Sequence, residues 1–277
     1  MATGNWVEKQ RVGVGAIREM ATLRQHDRLA PIANTMNPEL QARLKIIPHL
    51  DLGLEFDLDR LRLEAARITD YVGYESRAGN VALHGNLYRR SWQGRSLIGF
   101  EYDSRKGIHE PTPEYLEGVR RKGLSLGPTD LAAEVPYMME IINQLDACHL
   151  PARVMVIVPA GHLVWHSHMQ GRGQLPTCMT VHIPIEMPER FSYEVTANEN
   201  LTRVHGFLQP LDPSKVYSAR YPTGRATCFN SYHYHNVVNR DFEQSRISIM
   251  LFMELDREIP RRIFERAVAA YSGPVIG

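Results

Sequence analysis

Residues 152–168, ARVMVIVPAGHLVWHSH, decide how the chain is read. A short run rich in β-branched residues is broken at Pro-Ala-Gly, and a second short run follows that crowds three histidines beside a tryptophan. The same texture continues downstream in TCMTVHIPI, RFSYEVT, TRVHGFL, SKVYSARY, RATCFN, HYHNVV and SRISIMLFME, each bounded by Gly, Pro or Asn. About nine such runs at roughly ten-residue spacing predict a β-sandwich or β-barrel. No helix-length pattern alternates with them, which disfavours a parallel α/β sheet.

Upstream the pattern changes. The N-terminal third is charged and expected to be helical in part, with a helix over 57–72 carrying Leu58, Leu61, Leu63, Ala66 and Ile68 after an acidic start. VALHGNLYRR (81–90) and SLIGFEYD (96–103) read as strands around a turn-prone SWQGR (91–95), and 105–128 reads as a long loop of the kind used as a lid or binding loop. A capped helix is expected over 129–146, with Pro136 in its early turns, and another in REIPRRIFERAVAAY (257–271). The expected architecture is mainly β with flanking helices: one domain over 1–277 with an N-terminal helical part (1–80), a β-rich core (81–258) and a C-terminal helix (259–277). A jelly roll is one form such a core takes.

Composition narrows the class. Hydrophobic residues make up 43% and charged residues 23%, ordinary for a globular domain. The net charge of +1 gives no field for nucleic acid or an anionic membrane. The longest apolar runs, such as VMVIV, are far too short to span a bilayer. MATGNWVEKQ lacks a basic-then-apolar signal pattern, and Cys148, Cys178 and Cys228 form no CxxC, so the expectation is a cytoplasmic protein without a disulfide framework. The sequence is compatible with a homo-oligomer.

On an extended strand alternate side chains share a face, so His162, Val164, His166 and His168 are expected on one side. An H-x-H pair on a strand can offer two imidazole nitrogens to one ion, and a further ligand must come from another strand. FNSYHYHNVVN supplies the candidate, with His233 and His235 expected on a common face. All-nitrogen ligation suits zinc, copper, iron or nickel, and three facial ligands leave open positions, a catalytic arrangement. His26, His49, His84, His109, His149 and His205 have no such company and are read as structural or surface residues.

Beyond His235, across a short hairpin, comes SRISIMLFME. A permanent charge at Arg246 in so apolar a strand is costly unless it meets an anion. A guanidinium fork pairs well with a carboxylate, and the Ser248 hydroxyl on the same face can add a hydrogen bond. The plainer alternative is an internal ion pair or an edge open to water.

From Arg153 to Met253 the chain resembles the iron(II)- and 2-oxoglutarate-dependent oxygenases, in particular the aspartyl/asparaginyl β-hydroxylase-like family, whose core is a cupin-type double-stranded β-helix. The resemblance is carried by RVMVIVPAGHLVWHSH, TVHIPI and YPTGRATCFNSYHYHNVVNRDFEQSRISIMLF in that order. It implies that His166 and His235 ligate iron(II). It also implies that Arg246 with Ser248 holds the far carboxylate of the cosubstrate 2-oxoglutarate, with His182 near that cosubstrate. Two departures stand out. His168 occupies the position where the family places Asp, and could complete an all-nitrogen set. Thr180 stands where relatives often place Arg.

By this resemblance the protein hydroxylates an amino acid or amino-acid-derived small molecule with O2. The cofactor supplies the chemistry, while the protein aims the bond and excludes water, so no side chain is assigned as acid, base or nucleophile. Trp92, Arg172, Arg220, Tyr232 and the 105–128 loop are candidates for the substrate pocket, each with packing or surface as its alternative. Two rivals remain. One is a cupin dioxygenase with the same three histidines that needs no 2-oxoglutarate, since GHLVWHSHMQGRG resembles a cupin motif without its Glu. The other is a non-catalytic jelly-roll binding protein.

Overall fold

A strand covered on both faces has no exposed side, and Ala152–Ile157 has none: all six residues are buried, Arg153 among them. The computed structural model describes residues 38–73, 91–100, 102–106, 121–123, 126–167, 178–204 and 207–276. The N-terminal part contributes helix α1 (Pro38–Ile46), strand β1 (His49–Glu55), helix α2 (Leu58–Ala65) and strand β2 (Val72–Gly73). Next come β3 (Trp92–Gly99), β4 (Gly127–Pro128), α3 (Pro136–Gln144), β5 (Ala152–Ile157) and β6 (His162–His166). These are followed by β7 (Cys178–Glu186), β8 (Phe191–Thr196), β9 (Leu201–Val204), β10 (Phe207–Pro210) and β11 (Tyr217–Ala219). The chain closes with β12 (Arg225–Phe229), β13 (Tyr234–Asn239), β14 (Arg246–Glu254) and α4 (Glu258–Ala270).

One sheet has the order β1-β12-β7-β14-β5-β3-β2 with β4 added to β3, and a second has the order β11-β8-β13-β6. Strands β5 to β8 alternate between the two sheets, and β11 to β14 alternate again, while the β9–β10 hairpin is an excursion between them. That winding is a jelly roll, the double-stranded β-helix expected from the sequence. It closes most strand edges against partners, which antiparallel folds must arrange.

The period of two divides the larger sheet's side chains between two cores. On β14, Ile249, Leu251 and Met253 pack under the helices with Leu61, Ile141 and Phe264. Met250 and Phe252 point the other way, into the space between the sheets with Tyr193, Phe229 and Val237. Strand β7 follows the same rule, sending Met179, Val181, Ile183 and Ile185 to the helix layer. Thr180 and His182 are therefore inward, as are Arg246 and Ser248 on β14.

The helices have local causes. Asp57 caps α2, its carboxylate accepting from the Arg60 N–H at 3.1 Å. Helix α3 has no capping side chain of its own and starts at Pro136, where a missing N–H costs nothing. Buried Glu64 of α2 supplies the cap, accepting from the Tyr137 and Met138 N–H groups at 2.7 and 2.9 Å. On α4, Ile259, Ile263, Phe264, Ala267 and Val268 form a buried stripe at helical spacing.

Several expectations are corrected. The segment expected to be helical in part (1–80) also holds strand β1, which pairs with β12, and α2 ends at Ala65 rather than continuing to 72. SWQGR is not a turn: Trp92–Arg95 lies inside β3, paired with β5. The helix expected over 129–146 is split, a short 3-10 turn at Asp130–Ala133 preceding α3, because the residue before a proline resists helical backbone. The Thr129 hydroxyl donates to the Ser96 carbonyl at 2.6 Å instead of capping. The expected strand over 81–90 and most of the 105–128 loop lie outside the described residues. No helix among the described residues is long and apolar enough to cross a membrane.

Candidate active site

Strands β6 and β13 pair antiparallel with His166 directly opposite His235. The register then slips, since Val237 pairs with Leu163. Two steps on β13 are matched by three on β6, so β6 carries a bulge between Leu163 and His166. A bulge reverses the inside-outside phase of a strand, and it overturns the strict alternation expected of His162 and His166. Leu163 and His166 both line the cavity between the sheets, whereas His162 is exposed. On β13 no phase change intervenes, and His235 and Val237 line the same cavity.

The two imidazole rings lie 4.1 Å apart, centroid to centroid, at an interplanar angle of 59°. Each ring is fixed by the same device. His166 Nδ1 contacts the Val164 carbonyl at 2.8 Å, and His235 Nδ1 contacts the His233 carbonyl at 3.2 Å. A carbonyl oxygen only accepts, so Nδ1 carries the proton in both, and Nε2 of the neutral ring carries the lone pair. Histidines that bind metals are oriented by this kind of Nδ1–H contact.

His182 has the opposite tautomer. Arg246 Nη2 lies 2.8 Å from His182 Nδ1, and a guanidinium only donates, so this Nδ1 accepts and Nε2 carries the hydrogen. The ring stacks on Phe229 at 5.2 Å and 21°, and Phe229 in turn meets His235 at 4.6 Å.

Arg246 is 2% exposed. Its Nη2 also donates to the Tyr193 hydroxyl, and among the described residues its Nε has no hydrogen-bond partner. Among the described residues no carboxylate forms an ion pair with it; its charge faces the rings of Tyr193 and Phe191 at 5.3 and 5.8 Å. Burial pushes the guanidinium below its ordinary value, and the Tyr193 oxygen pulls it back. Burial pushes the Tyr193 phenol upward, so it stays neutral, while Arg246 opposes the shift. Among the described residues the cluster is a desolvated cation without an acid beside it, an arrangement suited to an incoming anion.

The remaining expected residues divide. Thr180 and Trp92 line the cavity. Ser248 is inward and buried, but its hydroxyl donates to the Ile249 carbonyl at 2.8 Å. His233 precedes β13 and places Nε2 3.0 Å from the Lys45 carbonyl, away from His235's cavity. Arg220 binds the carbonyls of Pro188 and Met187, and Tyr232 packs in the helix layer. His168 and Arg172 lie outside the described residues. Sequence reasoning missed Tyr193 and Arg153. A tyrosine at an inward position between Phe191 and Val195 needs a partner for its hydroxyl, and fully buried Arg153 carries the same signal as Arg246, a permanent charge in an apolar strand.

Strand order and cavity together define a jelly-roll protein with a polar cluster of histidine and arginine between its sheets. No protein-family model matches the chain, and no curated protein matches it. Among solved structures it is similar to an oxidoreductase of the 2OG-Fe(II) oxygenase family from Burkholderia pseudomallei, at 10% identity over 82% of this chain and 93% of that one, with a TM-score of 0.41. It is similar to HygX from Streptomyces hygroscopicus, solved with nickel and 2-oxoglutarate bound, at 12% identity over 79% and 87% of the two chains, TM-score 0.41. A cupin domain from Bordetella pertussis Tohama I is similar at 14% identity over 36% and 77%, TM-score 0.24. Likeness at this level says nothing about the chemistry of the cavity.

Proposed function

We propose that this protein is a non-haem iron(II)- and 2-oxoglutarate-dependent oxygenase, of the aspartyl/asparaginyl β-hydroxylase-like kind, that hydroxylates an amino acid or amino-acid-derived small molecule. The observation that carries the reading is the matched pair of imidazoles: two rings from partner strands, 4.1 Å apart, both held by Nδ1 so that Nε2 is the donor atom. That donor set fits a borderline divalent ion. His166 and His235 would hold the iron, with His168 as a third ligand. Bound iron(II) and its 2-oxo acid would supply the activation of O2.

The rest belongs to the chain. Arg246, with Ser248 beside it, would fix the far carboxylate of 2-oxoglutarate, and the Nε2–H of His182 offers a further donor to the same cosubstrate. Trp92 and Phe252 keep the cavity apolar and limit water. The partners in this reading are a small-molecule substrate and O2, in the cytoplasm.

One observation favours a second reading. The Ser248 hydroxyl already meets the Ile249 carbonyl and the Tyr193 phenol, which leaves Arg246 to grip a carboxylate without it, and that carboxylate could be a substrate's in a cupin dioxygenase that needs no 2-oxoglutarate. Anaerobic iron(II) titration followed by 2-oxoglutarate tests the proposal. A weak visible charge-transfer band on addition, then O2 uptake matched by succinate, is the expected result. O2 uptake without 2-oxoglutarate assigns the cupin reading, and no iron binding assigns a non-catalytic jelly roll.

A further inference from the structure

Helix α3 ends in a turn that gathers three different ligating side chains outside the cavity of the histidine pair. Leu145 caps the helix, and Asp146 follows with φ at +54°. The Asp146 N–H bonds the Asn143 carbonyl at 3.2 Å, and the Ala147 N–H bonds that of Ile142 at 3.0 Å. This is a Schellman closure, where glycine is the usual residue and asparagine the usual substitute. An aspartate here adopts a backbone conformation that costs a side chain energy, and sets an anion against the negative end of the helix.

The carboxylate has two neighbours on opposite sides. Arg257, at the start of α4, donates Nε to Oδ2 at 2.7 Å and Nη2 to Oδ1 at 3.1 Å. His149 Nε2 stands 3.2 Å from Oδ1 and 3.6 Å from the Cys148 Sγ. Oxygen, nitrogen and sulfur all lie within 4.8 Å of one another.

A nucleophilic triad does not explain this, because there the two imidazole nitrogens serve different partners. Here one nitrogen faces both, and a single N–H can satisfy only one of them at a time. Convergence of three donor atoms on a common point is what a chelated cation requires. With bond lengths of about 2.3 Å to sulfur and about 2.0–2.1 Å to nitrogen and oxygen, a tetrahedral zinc site has a nitrogen–sulfur edge of about 3.5 Å and a nitrogen–oxygen edge of about 3.3 Å. Two of the edges on the protein, 3.6 and 3.2 Å, have those lengths.

We propose that Asp146, Cys148 and His149 form a second metal site, for a thiophilic divalent cation of the zinc class. His149 is 42% exposed at its side chain and gives the ion access, while Asp146, at 16%, is held in place by the Arg257 fork, which spans both oxygens and leaves a second lone pair on Oδ1 for the ion. Cys148 packs against the helix-layer core and not against the cavity between the sheets. On binding, the sulfur–hydrogen bond breaks, the proton goes to solvent and the thiolate bonds the ion, with no change of oxidation state. Three protein ligands leave a fourth position for water. The ion would pin the end of α3 to the start of α4 through Asp146 and Arg257. The site does not depend on the proposed oxygenase chemistry.

Cobalt(II) titration of the full chain, under nitrogen and without thiol reductant, tests the proposal. The histidine pair contains no sulfur, so a thiolate-to-cobalt charge-transfer band in the near ultraviolet separates this site from it, and the cysteine variants separate Cys148 from the other two thiols. The expected result is a band that saturates within two equivalents in the unsubstituted chain and at one equivalent when the histidine pair is removed. It should persist in a His166→Ala/His235→Ala variant and in Cys178→Ser, vanish in Cys148→Ser, and need at least tenfold more cobalt in His149→Ala. In the unsubstituted chain, zinc should also protect Cys148 from a thiol reagent, as read by mass spectrometry of the labelled peptide. A band that survives in Cys148→Ser, no band in the unsubstituted chain, or labelling of Cys148 at the same rate with and without zinc would overturn the assignment.

Discussion

Replacing Arg246 with methionine should separate stability from ligand binding in one substitution. The guanidinium is 2% exposed and forms no ion pair with an acid of the described residues. Its desolvation costs several kcal/mol, and no partner charge among the described residues offsets it. What it gains is contact with His182 and the Tyr193 hydroxyl, hydrogen bonds worth about 1–3 kcal/mol together. Methionine fills comparable length and removes the charge, so the metal-free variant should be as stable as the parent or up to about 2 kcal/mol more so, a rise of at most a few degrees in Tm. Binding should move the other way. Loss of charge-assisted hydrogen bonds to a carboxylate, about 1.5–3 kcal/mol, weakens 2-oxoglutarate by roughly 10- to 150-fold. Thermal unfolding of the metal-free chain gives the first quantity, and calorimetric titration of the nickel-loaded chain with 2-oxoglutarate gives the second. A stability loss above about 3 kcal/mol would mean that Arg246 is a paired member of a structural network. Unchanged affinity would remove it from the anion pocket.

His166→Ala removes one of the two imidazoles opposed across β6 and β13, and metal affinity should fall at least 100-fold by calorimetry, while His162→Ala, at an exposed position, leaves it unchanged. Burial lowers the His49 pKa to about 4 in the folded chain from an ordinary 6.5, so the unfolded chain takes up the proton first as pH falls. Stability from this group is whole above pH 6.5 and is lost between about 6.5 and 4, by about 3 kcal/mol, and urea unfolding should show a shallower acid loss over that window for His49→Gln. Glu64→Ala leaves the first N–H groups of α3 without their acceptor and should cost about 1–3 kcal/mol in urea unfolding, with Glu64→Gln losing less.

Much of this molecule is legible in its sequence because the later strands are short, β-branched and punctuated. The strands from 152 to 254 follow that texture, and α4 follows its stripe. The failures have physical causes. Strand β1, HLDLGLE, alternates cleanly, but its charged surroundings hide it, and it becomes a strand only by pairing with β12. SWQGR contains a glycine and reads as a turn, yet the Met155 side chain crosses Gly94 so closely that a Cβ would meet the sulfur at 2.6 Å; the glycine serves close packing within the strand. At the site, His166, His235, His182 and Arg246 are readable from residue type and order, and the structure brings them to one cavity. The bulge is not readable, because register is decided by the partner strand. Tyr193 was overlooked because a tyrosine in a β-run looks like packing until its hydroxyl is asked for a partner.

Because the β14 side chains alternate between helix layer and cavity, odd and even positions along it answer to different selective pressures. Variation at Met250 or Phe252 would reshape the cavity between the sheets with the helix-side packing untouched, and variation at Ile249 or Leu251 would alter the helix-side packing without touching the cavity lining. A library confined to Met250 and Phe252 therefore samples new cavity shapes on an unchanged helix layer, with the cost in melting point confined to the core between the sheets.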